Sequence, residues 1–516
     1  MVKASLPEDV ETLQRLLIAA QNEAQSARAA LLVSELTNEK LRYQIAVLKR
    51  ARFGRSSEGL DTQLEQLALK LEDLETNLAT IPPELQPVTS PVHEKPVRRP
   101  LPADLPREQI VHRPECTCPD CGGALQPAGE DVAEMLEWVP GRYKVIRHVR
   151  PKFACPACDK LIQAPAPSRP IARGMAGAAL LAHVLVSKYQ DHLPLYRQSQ
   201  IFERDGIDLD RSTLADWVGV ASELLTPLVE ALGRYVMAGT KVHADDTPVP
   251  VLSPGRGKTK QGRLWTYVRD DRPAGSTDPP AVLFRYSPDR KGEHPKAHLA
   301  HMRGVLQADG YAGFDRLYGE HIQEAACWAH ARRYFYEVHV ALKSPIAEQA
   351  LQRIAALYAI EEQVRGRSPD ERRTVRQAHA GALLAQLHTW LQQQLSQIPK
   401  KGKLAEAIRY ALARWEALVR YCNDGHLEID NNAAERALRI VALGRKNWLF
   451  AGSDDGGERA AVIYSLLGSA KLNGINVEAY LRHILERLPE HPINRIEELL
   501  PWNVAPDLKP VQLAAA

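Results

Sequence analysis

The stretch Leu427–Arg439, LEIDNNAAERALR, gathers an aspartate, two glutamates, two asparagines and two arginines. Read locally, Asn432-x-x-Glu435 fits a capping box, with the asparagine capping a helix and the glutamate reaching back to an orphan amide. Glu435 and Arg439 fit an i,i+4 ion pair equally well. Two other acids open a different chemistry. Asp245 ends a strand-like run in TKVHADDTPVPVL, and Asp309 ends another in RGVLQADGYAGF. Two strand-borne aspartates and one helix-borne glutamate can make a carboxylate cage for hard divalent cations. Such oxygen ligands suit Mg²⁺ or Mn²⁺ rather than zinc.

A second constellation is made of thiols. Cys118-x-x-Cys121 and Cys155-x-x-Cys158 sit in the knuckle-like contexts PDCGG and CPACDK, with Cys116 as a spare able to displace Cys118. Four thiolates from two knuckles give the closed tetrahedral site of structural zinc. Between the pairs, EWVPGRYKVIRHVRPKFAC alternates apolar and basic residues as a strand does, and Arg142, Lys144, Arg147, Arg150 and Lys152 give that ribbon a cationic face suited to a DNA backbone. Cys327-x-x-His330 lacks a second half-site and reads as a packed cysteine beside a hydrogen-bonding histidine that can still orient DNA.

These groups need more than one domain to carry them. At 516 residues the chain exceeds a single ordinary core, and 45% hydrophobic with 25% charged residues is a globular composition. The net charge of +3 is too small to identify a partner, so nucleic-acid contacts must come from local basic clusters. No run of about 18 apolar residues is present, so no membrane partner is expected. The start MVKASLPEDVETLQ lacks the apolar core of a secretory signal, and paired cysteines without export favour metal over disulfides. A cytoplasmic protein, nucleoid-associated when bound to DNA, is expected.

Taken in order, residues 1–80 read as a helical leader. Leu64, Leu67, Leu71, Leu74 and Leu78 form a heptad seam, which serves either an intramolecular hairpin or a self-association coiled coil. A proline-rich linker follows at 81–107, then the zinc-binding ribbon at 108–168. Residues 169–237 read as helices, where LYRQSQIFERDGIDLDRSTLADWV has helix-turn-helix spacing with a second helix capped near Ser212. Arg211, Ser212 and Thr213 stand at its start, where base contacts are made. Strand texture begins at 238 and runs to 336. Residues 337–424 are helical and polar, an insertion within the sheet domain, which resumes over 425–475 before a C-terminal segment at 476–516. The fold class is therefore multidomain α+β.

Over nearly its whole length the chain resembles the transposases of the insertion-sequence-66 family. The matching blocks are FGRSSE, the two cysteine knuckles, HLPLYRQSQIFERDGIDLDRSTLADWV, ADDTPV, LQADGYAGF, CWAHARRYF, DNNAAERALR, GRKNWLFAGS and LNGINVEAYL. The resemblance implies a DDE recombinase with a ribonuclease-H-like α/β core and Asp245, Asp309 and Glu435 as its acids. Asp246 stands where the family usually has glutamate, and Ile440 where it has proline. Strand alternation sends Asp245 and Asp246 to opposite faces, and the resemblance selects Asp245.

Two Mg²⁺ ions on these carboxylates supply the chemistry for cutting a phosphodiester and then joining the freed 3′-hydroxyl to target DNA. Arg436, Arg439, Arg445 and Lys446 lie on or just after the glutamate helix as candidate phosphate contacts. The expected partners are double-stranded DNA (terminal inverted repeats and target), further copies of the chain on DNA, and accessory proteins of the same element. Two rival functions remain at this level. One is a non-catalytic zinc and helix-turn-helix regulator, the other a ribonuclease-H-type nuclease that cuts without joining.

Overall fold

A computed structural model of the chain describes residues 152–154, 161–163 and 168–508, apart from 173, 254–257 and 449. The expected leader, linker and zinc cysteines, with Arg142, Lys144, Arg147 and Arg150, lie outside the described residues. Strand β1 (Lys152–Ala154) pairs antiparallel with β2 (Leu161–Gln163), the two flanking Cys155 and Cys158 in sequence. This hairpin belongs to a compact unit separate from the one that holds Pro167–Ala516.

The larger unit opens with three helices, α1 (Ala178–Tyr189), α2 (Leu195–Arg204) and α3 (Arg211–Met237). The turn between α2 and α3 uses Gly206 at φ 79°, a left-handed conformation that a side chain would strain. The residue before α3 is Asp210, two positions ahead of the cap expected near Ser212. Helix α3 is 27 residues long and does not stop at the hairpin. Its first half buries Leu214, Trp217 and Val218; farther along, Gly233 comes close to the Leu283 side chain of the sheet. One continuous apolar core therefore runs from Ala176 through the sheet to Val504.

Five strands form the sheet: β3 (Lys241–Leu252), β4 (Thr259–Arg269), β5 (Ala281–Ser287), β6 (Gly304–Ala308) and β7 (Ile322–Ala325). Their order is β5-β4-β3-β6-β7. The meander β3-β4-β5 is antiparallel, whereas β6 and β7 run parallel to β3. In β6, Val305 to Ala308 are all buried, as expected of a parallel strand covered on both faces. Short helix α4 (Glu293–His298) lies on the crossover from β5 to β6.

After β7 the chain enters α5 (Trp328–Leu342) and then the helical block α6 (Pro345–Val364), α7 (Pro369–Val375), α8 (Gly381–Gln397), α9 (Lys403–Ala413) and α10 (Trp415–Val419). This block builds a second core, in which Ile354, Leu357, Leu384, Leu391 and Ile408 pack with Trp328 and Phe335 of α5. The chain returns as α11 (Asn432–Gly444), α12 (Asp454–Leu472), α13 (Val477–Arg487) and α14 (Pro501–Val504). Helix α12 covers the outer edge of β5. There the Ser469 and Ser465 hydroxyls accept from the Val282 and Phe284 amides at 3.0 and 2.8 Å. An edge strand that would otherwise offer bare donors is thereby closed. No helix among the described residues is long and apolar enough to cross a membrane.

The inserted block carries a charged interior. Arg376, fully buried, makes bonds of 2.7 and 2.6 Å to Glu361 and donates to the carbonyls of Tyr421, Asp424 and Leu427. Arg372 reaches Glu428 at 2.7 Å and the Leu427 carbonyl at 3.2 Å. Both arginines thus grip the segment that leads into α11. Arg376→Met removes the short bonds to Glu361 and the side-chain donor of the Tyr421 and Asp424 carbonyls, and the expected cost is about 3–5 kcal/mol. Urea unfolding and hydrogen exchange over 421–431 check this; unchanged protection there would refute the clamp.

Candidate active site

Backbone register brings the first two acids together. Ala244 of β3 pairs with Ala308 of the parallel strand β6, so Asp245 and Asp309 each lie one residue beyond that pair. Adjacent strands run about 4.8 Å apart, which puts the two carboxylates at neighbouring strand positions on one end of the sheet. Glu435 enters from α11, which packs on β3 and β4. Electrostatics report the convergence: burial first, then the charges of Asp309 and Glu435, push the Asp245 carboxyl well above the usual carboxylate range.

What aims α11 at the strands is Asn431, wholly buried just before the helix. Its Nδ2 donates to the Ala244 carbonyl at 2.8 Å, and its Oδ1 lies 3.0 Å from His243 Nδ1. Because Nδ2 faces a carbonyl, Oδ1 must be the acceptor, which assigns the hydrogen to His243 Nδ1. Burial lowers the His243 imidazole to about 3, so the ring is neutral. The Asn431 backbone N–H also donates to Cys327 Sγ at 3.1 Å. Farther back, Gln307 Nε2 donates to the Glu428 carbonyl at 2.5 Å, and buried Lys241 donates to the His426 carbonyl at 2.9 Å. The approach to α11 is thus sewn to β3 and β6.

The capping-box alternative does not hold. Asn431, not Asn432, precedes α11, and it makes no side-chain cap bond. Asn432 Nδ2 instead donates to Asp430 at 2.9 Å. A true capping box in this chain is Ser368 with Glu371. Asp430, unremarked in the sequence, joins the acidic group. Its carboxyl rises to about 6, chiefly through burial, with the charges of Glu428 and Glu435 adding to it.

Asp246 lies on the opposite face, as alternation requires, yet it is far from idle. Its carboxylate is nearly inaccessible and meets Arg263 at 3.0 Å and Arg290 at 2.8 Å. Asp246→Asn would therefore remove the shared counter-charge of two arginines. Arg290 also stacks on the Tyr311 ring at 4.1 Å and feels Asp309, a cation at the rim that the sequence did not single out. The Asp309 turn has its own brace. Arg414, at the start of α10, donates to the Gly310 carbonyl at 3.0 Å, and a Cβ at Gly310 would come within 2.7 Å of that guanidinium.

Cys327, His330 and Glu435 offer ligand-type atoms within 4.8 Å of one another, with His330 Nδ1 3.7 Å from Glu435. Burial, and then Glu435 and Asp430, hold the Cys327 thiol well above its ordinary range. The packed-cysteine reading fits this geometry. Asp289, Glu293 and His294 form another such group, where Lys291 already reaches Asp289 at 3.0 Å.

The remaining candidates are scattered. Arg211, Ser212, Arg436, Arg439 and Lys446 are exposed and Thr213 is partly so. Arg445 departs from the expectation of a phosphate contact, since its guanidinium donates to the Pro248 carbonyl and braces α11 against β3.

Acids gathered at adjacent ends of a mixed sheet, with a helical block inserted before the last of them, define a mixed α/β protein with a polar, carboxylate-centred site. Residues 173–459 match the family model described as Transposase IS66 family, and the chain belongs to that family. Residues 115–159 match the zinc-finger binding domain of transposase IS66, 40–110 the Transposase C of IS166 homeodomain, and 465–502 the IS66 C-terminal element. The chain is similar to Uncharacterized protein y4hP of Sinorhizobium fredii, 42% identical over 486 residues that cover 91% of this chain and 88% of that protein. Uncharacterized protein y4qI of the same organism is 39% identical over 535 residues, covering 98% of each.

Asn431→Ala leaves His243 Nδ1 and the Ala244 carbonyl unanswered in a buried site. The expected loss is about 2–4 kcal/mol of stability. Chemical unfolding tests it, and a variant as stable as the parent would show that Asn431 is not the clamp.

Proposed function

We propose that this chain is a DDE transposase with a ribonuclease-H-like core, which binds the ends of an insertion sequence, cuts DNA and joins the freed 3′ ends to target DNA. The support for this reading is the placement of Asp309 on the neighbouring strand and Glu435 on α11 near enough to Asp245 that, with its burial, their charges raise its carboxyl. The sheet supports the ribonuclease-H comparison, being an antiparallel meander extended by two parallel strands.

The donor set fits divalent cations. Three oxygen ligands that repel one another are short of positive charge, and Mg²⁺ or Mn²⁺ would relieve what a proton on Asp245 otherwise relieves. Asp245, Asp309 and Glu435 would hold such ions, which would supply activation of an attacking hydroxyl and charge neutralisation at a leaving oxygen. Asn431 keeps Glu435 in register with the strands, and Arg414 steadies the turn after Asp309. Arg436 and Arg439 on α11, and Arg290 at the rim, are the cations we assign to phosphates, and His330 lies beside Glu435. In cleavage, water attacks phosphorus, one P–O bond forms, and the bond to the 3′ oxygen breaks. In joining, that 3′-hydroxyl attacks a target phosphodiester and releases the target's own 3′ oxygen, so the number of phosphodiesters is conserved. Two element ends call for two such sites, which supports assembly of several copies on DNA, helped by the leucine seam at 64–78. Accessory proteins of the same element are proposed as further partners.

For the zinc-finger segment we propose Cys118, Cys121, Cys155 and Cys158 as ligands of one Zn²⁺, with Arg142, Lys144, Arg147 and Arg150 on DNA. Arg211, Ser212 and Thr213 contribute a second DNA contact from the start of α3.

Glu435→Gln, Asp245→Asn or Asp309→Asn should each lower strand cleavage by orders of magnitude in Mg²⁺ while labelled element ends still bind. Cleavage by Glu435→Gln near the parent rate would overturn the assignment. Strand-transfer products from a pre-cut end separate a joining enzyme from a nuclease.

Cys121→Ser should abolish zinc retention while the circular-dichroism signal of the catalytic unit persists. Elemental analysis finding no zinc in the parent protein would refute the site.

A further inference from the structure

The second half of the block GRKNWLFAGS, from Trp448 on, has no part in the chemistry above, yet the fold gives it a defined place. After α11 the chain returns along the far end of β3, where the Leu252 amide donates to the Ala451 carbonyl and the Ala451 amide to the Pro250 carbonyl, both at 2.8 Å. This short parallel pairing holds Trp448 and Phe450 beside a cavity of about 280 Å³. Lys188 and Tyr189 of α1, Val249 of β3 and Arg459 of α12 complete its wall.

Two features of the wall do not fit an ordinary structural crevice. The first is its charge. Lys188 and Arg459 are both partly buried, and among the described residues neither makes an ion pair. Lys188 lies only over the Tyr189 ring, at 5.1 Å. Of the acids at the start of α12, Asp454 is already committed to Lys260 at 2.5 Å and to the Tyr286 hydroxyl at 2.6 Å, while Asp455 and Glu458 are exposed. Half-buried cations without a carboxylate are costly unless an anion arrives. The second feature is aromatic. Phe450 is 42% exposed, large for a side chain with nothing to cover it, and Trp448 and Tyr189 present further ring surface to the same space.

We propose that this cavity takes one unstacked nucleotide of a DNA strand, its base against Trp448 and Phe450 and its phosphate on Lys188 and Arg459. This inference rests on the transposase reading and deepens it. A base offers a π-face and a phosphate offers charge, and no simpler ligand class satisfies both walls at once. A duplex is far too wide for the space. Position supports the assignment as well. Val249 lies four residues along β3 from Asp245, about 13 Å at the usual rise per residue. The cavity is therefore within a few nucleotides of the cutting site along one strand.

Gly219 of α3 provides an independent handle. A Cβ there would come to 2.9 Å from Arg459 Cζ and 3.0 Å from both terminal nitrogens, so the guanidinium lies flat on the helix because the residue is glycine. Alanine favours a helix interior over glycine. Gly219→Ala should therefore displace the cation without weakening the fold.

The test uses the full chain in EDTA, a short single-stranded oligonucleotide carrying 2-aminopurine, and a duplex of the same sequence. The parent should quench the 2-aminopurine on binding. Phe450→Ala and Arg459→Gln should each weaken single-strand binding about tenfold or more and relieve the quench. Gly219→Ala should weaken it too, at an unchanged or higher melting temperature, while duplex binding by all three stays at the parent level. Parent-like single-strand binding by all three variants, or an equal loss on duplex, overturns the proposal. Because the assay is metal-free and scores no cleavage, its outcome is separate from that of the acid substitutions that test the transposase reading.

Discussion

The bond from Asn431 to the Ala244 carbonyl is the contact on which the rest of the site depends. Two of the three clustered acids come from neighbouring strands, where backbone pairing alone sets their separation. The third comes from a helix that follows a long excursion of the chain, and no ladder fixes its distance. A carboxylate cluster tolerates errors of only about half an ångström, so the return of the chain must be pinned. Asn431, Gln307 and Lys241 do this from the sheet side. Arg372 and Arg376 hold the same segment from the inserted block. The insertion is therefore more than tolerated length; its charged interior is built around the carbonyls that lead into α11.

Charge is divided across the pleat of β3. On one side Asp245 has no basic partner among the described residues, and burial with its acidic neighbours raises its proton affinity. On the other, Asp246 is answered by Arg263 and Arg290. Two adjacent aspartates thus occupy opposite electrostatic states, one held as a counter-charge and one left short of a cation. Cys327 follows the same logic. Buried among acids, its thiol is held well above its ordinary range and serves as an acceptor for the Asn431 backbone N–H.

Much of this was legible in the sequence because it is local. Strand alternation separates Asp245 from Asp246, and the helix-turn-helix spacing of LYRQSQIFERDGIDLDRSTLADWV marks α2 and the start of α3. The misses share a physical cause. Asn432 looked like a cap because capping is judged from four consecutive residues, whereas Asn431 finds its partners on a strand nearly two hundred positions away. Lys241 and Gln307 read as ordinary polar positions in strands, since their partners are carbonyls of a distant loop. Arg445 looked like a surface cation because sequence gives no sign that α11 lies against Pro248. Long-range polar contacts leave almost no periodic signature; a buried asparagine beside an acid was the available clue.

Helix α3 links these levels. At 27 residues it extends about 40 Å, its exposed start carrying Arg211 and Ser212 and its far end packed against the sheet. A helix-turn-helix unit with its own small core would swing on a linker. Here the apolar core is continuous from α1 through α3 to β5 and α12, so the start of α3 and the acids of β3 are fixed in one body. Any DNA held at the start of α3 would then stand at a set distance from the carboxylates, and the cavity lined by α1, α3, β3 and α12 lies where these elements meet.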